Sequence, residues 1–600
     1  MTTSPTGSGL STSATHPGES GDPAAADDRR SRWRVAQPDP EMVRRLVQSE
    51  RLPEVLARLV VNRGHEDPKA VQDLLTPSLH FLHDPAGLPE MERAAERVQR
   101  AVESGETILI HGDYDVDGVS GTVLLVRLAQ TLGAKVEWHI PHRTRDGYSF
   151  GDHSVAKAKE VGATLVISVD NGTSAVEPIA ALAEAGVDVI VTDHHEPPDG
   201  ELPPTHALVN PKLPGHDYPF RELCGSAVAF KLAWAVCQRI SGSEKVRPDL
   251  RAFLLEALGY VAVATICDVV SLIGENRVLT HFGLRALRDA PAPGMLALLE
   301  RTGLAGRDLT PEDIGYQIGP RINASGRMDS AARAVECMLA ADAPEGRRCA
   351  EALELLNDSR REVERGVLKS ALAQANEHKD DGILVVGGDG WHPGVVGIVA
   401  SRLVDRFDRP ALVIGIDEHG VGRGSARSVD GVSVLDIMKA GADHMRRFGG
   451  HAMAAGCEIE AAALEPLREA LVAEAAALGR EESARPLDID ARVRLEGLDE
   501  SLMAQIQRLE PCGQKNPKPV LLAEDVRLDD MPRLIGQDRS HLLLKIRSGT
   551  AVFKALAFGM GKREPELSMG RSLDIVFTPR ISFWRGRSEL ELVLSDFASR

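Results

Sequence analysis

Aromatic residues are scarce in this chain, at 4% of 600 residues, and no two cysteines form a C-x-x-C pair. The seven cysteines (Cys224, Cys237, Cys267, Cys337, Cys349, Cys457, Cys512) are scattered and odd in number. That argues against a disulfide framework and predicts buried thiols in a reducing, cytoplasmic setting. No uninterrupted apolar run approaches the roughly 18 residues that a membrane span needs, so no membrane role is expected. The first residues, MTTSPTGSGLSTSATHPGESGDPAAADDRR, lack the apolar core of a signal peptide and read as a disordered tail. An excess of basic charge is also missing. The net charge is −18, so the chain as a whole is not drawn to a polyanion. The balance is uneven, however: residues 501–600 carry 16 Lys and Arg against 12 Asp and Glu, which leaves room for a polyanion at that end.

What is present is a large α/β pattern. Six hundred residues predict three or four domains. Residues 33–105 repeat apolar positions at helical spacing and predict an α-rich lead-in. Strand-like runs then alternate with helices: TILIH (107–111), VSGTVLLVRLAQTLG (119–133), KVEWHI (135–140), TLVISVD (164–170), VEPIAALAEAG (176–186) and VDVIVTD (187–193). Such alternation predicts a parallel sheet covered by helices, with function at the carboxyl ends of its strands. Residues 220–300 read as helical and 342–377 as a long charged connector helix. A second α/β unit opens at GILVVGGDGWHPGVVGIVASRLVDRF (382–407) and contains VGRGSARS (421–428) and RFGGHAMAAG (447–456). After about Pro486, short alternating runs predict a small barrel or sandwich.

The stretch HGDYDVDG (111–118) places three aspartates within five residues, behind His111 and ahead of a glycine. Crowded carboxylates repel unless a cation lies among them. Asp-rich turns are common, so this motif alone is weak. A calcium loop is excluded, because no bidentate Glu follows and a strand precedes. Three further places supply the same atom types: Asp170 at the end of TLVISVD, Asp193 with His194 and His195 after VDVIVTD, and Asp268 inside the apolar run VAVATICDVVSL. A carboxylate in such a run is costly to bury without a partner. Oxygen ligands mixed with imidazole suit Mn²⁺ or Mg²⁺, and two such ions form a clamp for in-line attack at phosphorus.

These segments, HGDYDVDG, SVDNG (168–172), TDHHE (192–196) and ICDVV (266–270), resemble in order and spacing the four motifs of the DHH phosphoesterase superfamily. The fuller chain, over about residues 40–600, resembles the RecJ family of single-strand-specific DNA exonucleases. GPRINASGRMDSA (319–331), GWHPGVVGIVASRL, GRGSARS, FGGHAMAAG and LEPCGQKNPKPVL (509–521) carry that likeness. It implies an α/β architecture with these parts: a tail (1–32), an α-rich N-terminal segment (33–105), a parallel-sheet DHH catalytic domain (106–300), a linker with connector helix (301–378), a second α/β DHH-associated domain (379–480) and a C-terminal OB-fold β-barrel (481–600). It implies one Mn²⁺ or Mg²⁺ held by His111, Asp115 and Asp170, and another held by Asp117, Asp170, His194 and Asp268, with less weight on His111. His195 would face the scissile phosphate and stabilise developing charge, or orient a ligand; with Asp170 it is the catalytic pair, and the role of Asp113 stays open. Arg321, Asn323, Arg327, Ser425, Arg427, Gly449, Gly450 and His451 would bind phosphate and DNA. Val116, Cys267 and GYSF (147–150) depart from the family's usual residues, at positions that are not themselves ligands.

The activity so implied is metal-dependent 5′→3′ hydrolysis of single-stranded DNA to nucleoside 5′-monophosphates, in recombination and repair. Single-strand-binding protein and a RecQ-type helicase are partners of that family. Phe583 and Trp584, beside Arg585 and Arg587, are candidates for base stacking, with burial in the core an equal alternative. Two other readings compete. A DHH hydrolase of small phosphoesters would be shorter and would lack the C-terminal module. A non-catalytic scaffold would have lost ligands, whereas here every ligand position is filled.

Overall fold

The computed structural model describes residues 29–143, 145–147, 149–479, 486–584 and 587–600, apart from the side chains of 583–587. Most of the expected tail and the four proposed stacking and cationic residues at 583–587 therefore lie outside what is described. The chain falls into two compact units, one of residues 77–482 and 511–516, the other of 1–76, 483–510 and 517–600.

The larger unit begins with a parallel sheet. Its strands are β1 (Thr107–His111), β2 (Lys135–His139), β3 (Leu165–Val169), β4 (Asp188–Thr192) and β5 (Ala207–Val209), in the order β2-β1-β3-β4-β5. The central strands are continuous aliphatic runs because both faces are covered. Helices α1 (Val116–Thr131), α2 (Asp152–Val161) and α3 (Val176–Glu184) make the crossovers, and α4 (Gly225–Ser241) and α5 (Pro248–Cys267) follow. Leu124, Leu125, Ile110, Ile167, Ile190, Val228 and Val261 share one core between sheet and helices. Strand β5 was not anticipated: three residues are too few to show a period.

By length and composition α5 could cross a membrane, and it is the one such helix among the described residues. It is instead packed against α1, α4 and Gly274–Asp289, with most of its apolar stretch buried. Arg251 and Glu256 interrupt the run in sequence, which is why no span was expected from it.

After α6 (Gly319–Met328), the 35-residue helix α7 (Ala343–Glu377) joins two cores. Its Ala350 and Leu353 pack with α6 and its neighbours, while Val367, Ala371 and Ala375 pack on the second α/β layer. That layer comprises β6 (Leu384–Asp389), α8 (Pro393–Phe407), β7 (Ala411–Ile416), β8 (Val421–Arg427), β9 (Arg447–Gly450) and β10 (Ala454–Glu460), in the order β9-β10-β8-β7-β6. Only β6 and β7 are parallel.

The smaller unit is a closed barrel. Leu521–Leu528, Ser572–Trp584, Arg587–Ser599, Ala551–Ala557 and His541–Ser548 form a ring, closed where Arg527 and Leu528 pair with Arg547 and Ile546. This is the small barrel expected from the alternating runs.

Two boundaries differ from the sequence reading. The α-rich segment is not one piece. Trp33–Val35 is a strand paired in parallel with Leu487–Ile489, and the helices Pro40–Ser49, Glu54–Asn62 and Pro68–Leu75 share the barrel's core through Leu46, Leu56 and Val71. Residues 77–105 belong to the other unit. Helical periodicity reveals an apolar face but not which core receives it. Residues 511–516 also leave the barrel. The Gln514 carbonyl accepts from Leu272 N–H, and Lys515 Nζ lies 2.8 Å from Glu222 Oε1.

Candidate active site

The parallel sheet delivers its acidic loops to one edge. Asp115 is the N-cap of α1, and its Oδ1 accepts from the amides of Asp117 (2.9 Å) and Gly118 (3.1 Å). Asp117 is held at a second helix start. Its carboxylate accepts from Gly225 N–H and Ser226 N–H, both at 2.7 Å, and the Ser226 hydroxyl donates to its carbonyl. The positive end of α4 thus faces this buried charge. Asp170 ends β3 in the left-handed region, at φ +64°. Gly225 makes room for it, since a Cβ there would lie 2.5 Å from Asp170 Cβ.

His194 ties the cluster together. Its Nε2 lies 3.1 Å from Asp170 Oδ1, 3.6 Å from Asp268 Oδ2 and 3.9 Å from Asp117 Oδ2. Ligand atoms of Asp117, His194 and Asp268 converge within 4.8 Å of one another, as do those of Asp113, Asp115 and Asp170. Asp268 corrects the sequence reading in one respect. It is not inside a helix but is the C-cap of α5, partly exposed, with its carboxylate at the negative end of the helix. A carboxylate there is unfavourable without a cation.

The electrostatics fit a set of side chains suited to a cation. Burial and then the neighbouring carboxylates push Asp170 and Asp113 well above the ordinary carboxylate range. Asp115 is raised for the same reasons, and Asp268 is pushed up to about 9. Neither His194 Nε2 nor Asp268 Oδ2, both buried atoms, makes a hydrogen bond among the described residues. Buried acceptors without donors, in a mixed oxygen and imidazole set, fit Mn²⁺- or Mg²⁺-class ions.

A pH dependence follows. Asp268 carries a raised pKa in the folded chain, so its contribution to stability is present below the ordinary carboxylate range, near 4, and is lost as pH rises toward about 9. In chelator-treated protein the melting temperature should fall over that window, and less so in Asp268→Asn. Adding Mn²⁺ should remove the fall and release protons. Calorimetry in two buffers of different ionisation enthalpy reads the proton count; zero release at neutral pH would contradict this account.

Asp193 had been noticed in sequence but given no task. Its Oδ1 accepts from His195 Nδ1 (2.7 Å) and from the amides of His194 and His195, and its Oδ2 accepts from Thr173 N–H. Burial alone would raise this carboxyl, but the His195 hydrogen bond and charge hold it well below the ordinary range. Burial pulls His195 down, yet the bond to Asp193 and that charge lift it above its ordinary value. The ring is thereby oriented and inclined to carry a proton.

His111 is placed differently from the carboxylates. Its ligand atoms group with those of His139 and His153, and its Nε2 bonds Ser154 Oγ at 2.8 Å.

A groove of about 690 Å³ runs from Tyr114 to the second α/β layer. Arg423, Ser425 and Arg427 alternate along β8 and so share one face. They line the groove with Arg143, Arg145, Arg327, Arg447, Gly449 and Gly450. Arg143 stacks over the Tyr114 ring at 4.7 Å. Arg327 Nη1 donates to the Gly394 carbonyl, and Arg427 Nη1 donates to Ser425 Oγ. Burial, then neighbouring guanidinium groups, lowers Arg427 and brings Arg327 down to about 10. Asn323 lines an adjoining cavity of about 480 Å³, and His451 lies in the turn after β9. Arg321 departs from the expected role. It forms a bidentate pair with Glu354 (2.6 and 2.9 Å) and also donates to the Gln317 carbonyl, which anchors α6 on α7. Arg143, Arg145, Arg423 and Arg447 were missed, because their shared face exists only once the two layers come together.

Known proteins resemble this chain over most of its length. The family models for the DHH family N-terminal domain, the DHHA1 domain and the RecJ OB domain match residues 107–260, 380–477 and 489–596. The single-stranded-DNA-specific exonuclease RecJ of Bacillus subtilis is 36% identical over 94% of this chain and 71% of its own length. The chain belongs to the RecJ family. The RecJ exonuclease of Haemophilus influenzae is 33% identical, over 87% of this chain and 92% of its own. The crystal structure of Thermus thermophilus RecJ in complex with Mn²⁺ superposes with a TM-score of 0.80 at 29% identity, covering 95% of this chain and 80% of that one. The RecJ family consists of single-stranded-DNA-specific exonucleases within the DHH superfamily, so this chain is an exonuclease of that class.

Proposed function

We propose that this exonuclease is metal-dependent and degrades single-stranded DNA in the 5′→3′ direction. It releases nucleoside 5′-monophosphates and acts in DNA recombination and repair. The observation that carries the reading is continuity between cluster and groove. Tyr114 lies in the chain between Asp113 and Asp115 and lines the arginine groove, so a strand held by arginine reaches the carboxylates at that point.

Asp115, Asp117, Asp170, His194 and Asp268 would hold two Mn²⁺ or Mg²⁺ ions. When bound, such ions neutralise phosphate oxygens and activate water for in-line attack. The backbone amides at the starts of α1 and α4 keep Asp115 and Asp117 aimed at the cluster. His195, oriented by Asp193, presents its ring toward the charge that develops at phosphorus. Arg327 and Arg427, with Ser425 and the Gly449–Gly450 backbone, bind the 5′-terminal phosphate and the adjoining backbone. Single-strand-binding protein and a RecQ-type helicase are the partners this role calls for, and the cytoplasm is its compartment.

Arg427→Ala should raise the KM for 5′-phosphorylated strands by roughly 10–100-fold, the loss of a charge-assisted phosphate contact, with a smaller change in kcat. Steady-state kinetics on one oligonucleotide with and without the 5′-phosphate checks this, and an unchanged KM would count against it. Polarity is tested with strands blocked at one end. A bulky block at the 5′ end should prevent digestion and one at the 3′ end should not; the reverse pattern would overturn the proposed direction.

A further inference from the structure

Three imidazoles meet farther along the same sheet edge. His111 and His139 are the last residues of β1 and β2 and face each other across the parallel ladder. His153 enters from the first turn of α2. His139 Nε2 lies 3.0 Å from His153 Nδ1, and Ser154 Oγ lies 2.8 Å from His111 Nε2 and 3.3 Å from His153 Nδ1. The three rings offer ligand nitrogens within 4.8 Å of one another.

The site is built rather than incidental. His111 is fully buried, its ring stacked on Phe150 at 4.2 Å and 8°. Burial holds all three rings below their ordinary pKa, His139 at about 4, so the lone pairs a metal needs are present at neutral pH.

The chemistry differs from that of the carboxylate cluster. Three imidazole nitrogens and one hydroxyl oxygen suit a borderline ion in four-coordinate geometry, of which Zn²⁺ is the type, rather than Mg²⁺. The location suggests a task. His139 and His153 flank residues 140–152, the segment that carries Arg143 and Arg145 to the groove.

We propose that His111, His139 and His153, with Ser154, form a second metal site for a Zn²⁺-class ion, and that its occupancy clamps the ends of the segment presenting Arg143 and Arg145. The clamping role rests on the groove's proposed part in strand binding; the metal site does not.

The test uses the full chain carrying Asp170→Asn, to weaken the carboxylate site, in excess Mg²⁺. Equilibrium dialysis should find one tightly bound Zn²⁺. Adding His139→Asn and His153→Asn should weaken that binding by at least about tenfold, the lower end of what losing a supporting group costs. X-ray absorption at the zinc edge of the Asp170→Asn protein should show imidazole scattering from three rings. Zinc retained by the histidine variants, or a shell of oxygen with one imidazole, overturns the site. The spectrum decides even if the double histidine substitution unfolds the chain. In protein with Asp170 intact, Zn²⁺ at one equivalent should shift the KM for single strands and leave it unshifted in His139→Asn/His153→Asn. Zinc bound with KM unmoved overturns the clamp. Zinc bound with no strand hydrolysis under any condition overturns the proposed function and leaves the metal site standing.

Discussion

Asp170→Ala is expected to lower strand hydrolysis on the order of 10³–10⁴-fold, the several kcal/mol that a lost metal contact costs at the transition state. Asp170 stands in both readings of the cluster, with Asp113 and Asp115 on one side and His194 on the other. Removing it deprives both sets of a ligand. The fold should survive. The left-handed backbone costs alanine about 1 kcal/mol, but removing a buried carboxyl that its own neighbours disfavour offsets that cost, so the metal-free variant should melt close to the parent. Metal binding read by calorimetry should fall together with activity. A variant that hydrolyses DNA at the parent rate would contradict the ligand assignment.

Glu275→Ala is expected to cost about 3–5 kcal/mol of stability, because it strands a buried ammonium group. Lys231 is fully buried on α4, with Nζ 2.5 Å from Glu275 Oε1 and 2.6 Å from the His83 carbonyl. Glu275 also accepts from Tyr218 OH and from His83 N–H. One carboxylate thus joins α4, the lead-in at His83, Tyr218 and the start of Gly274–Asp289. The effect should extend to activity, since the N-terminus of α4 holds Asp117 and Gly225 faces Asp170. Thermal unfolding of Glu275→Ala, Lys231→Met and the double variant forms the check. The double variant should recover most of the loss, and three additive values would refute the pair as the cause.

These residues also show what a sequence reveals and what it hides. TILIH, ending at His111, was legible as a strand to its last residue, because a buried parallel strand is a short aliphatic run with clear stops. Asp115, Asp117, Asp170, His194 and Asp268 were legible as a set, because each follows a strand or an apolar run. Their holders were not: Gly225 and Ser226 stand more than a hundred residues from Asp117 and carry no acidic or basic signal. Arg321 was misjudged for a related reason. A lone arginine near a motif suggests an anion ligand until its carboxylate, 33 residues on, comes into view. His139 and His153 look ordinary in sequence, since only the register of β1 with β2 and the placement of the first turn of α2 bring them to His111. The first three helices were correctly read as helices, but their union with the barrel is a long-range packing choice that periodicity does not encode.

The most direct measurement is hydrolysis of a long single-stranded DNA labelled at one end or the other, with Mn²⁺ or Mg²⁺, beside its blunt duplex and a cyclic dinucleotide. The account predicts metal-dependent release of labelled mononucleotide from the 5′-labelled strand from the first moments. The 3′ label should stay in long fragments, and the duplex should be spared. Cleavage of the cyclic dinucleotide alone, or release that persists in excess chelator, would contradict it.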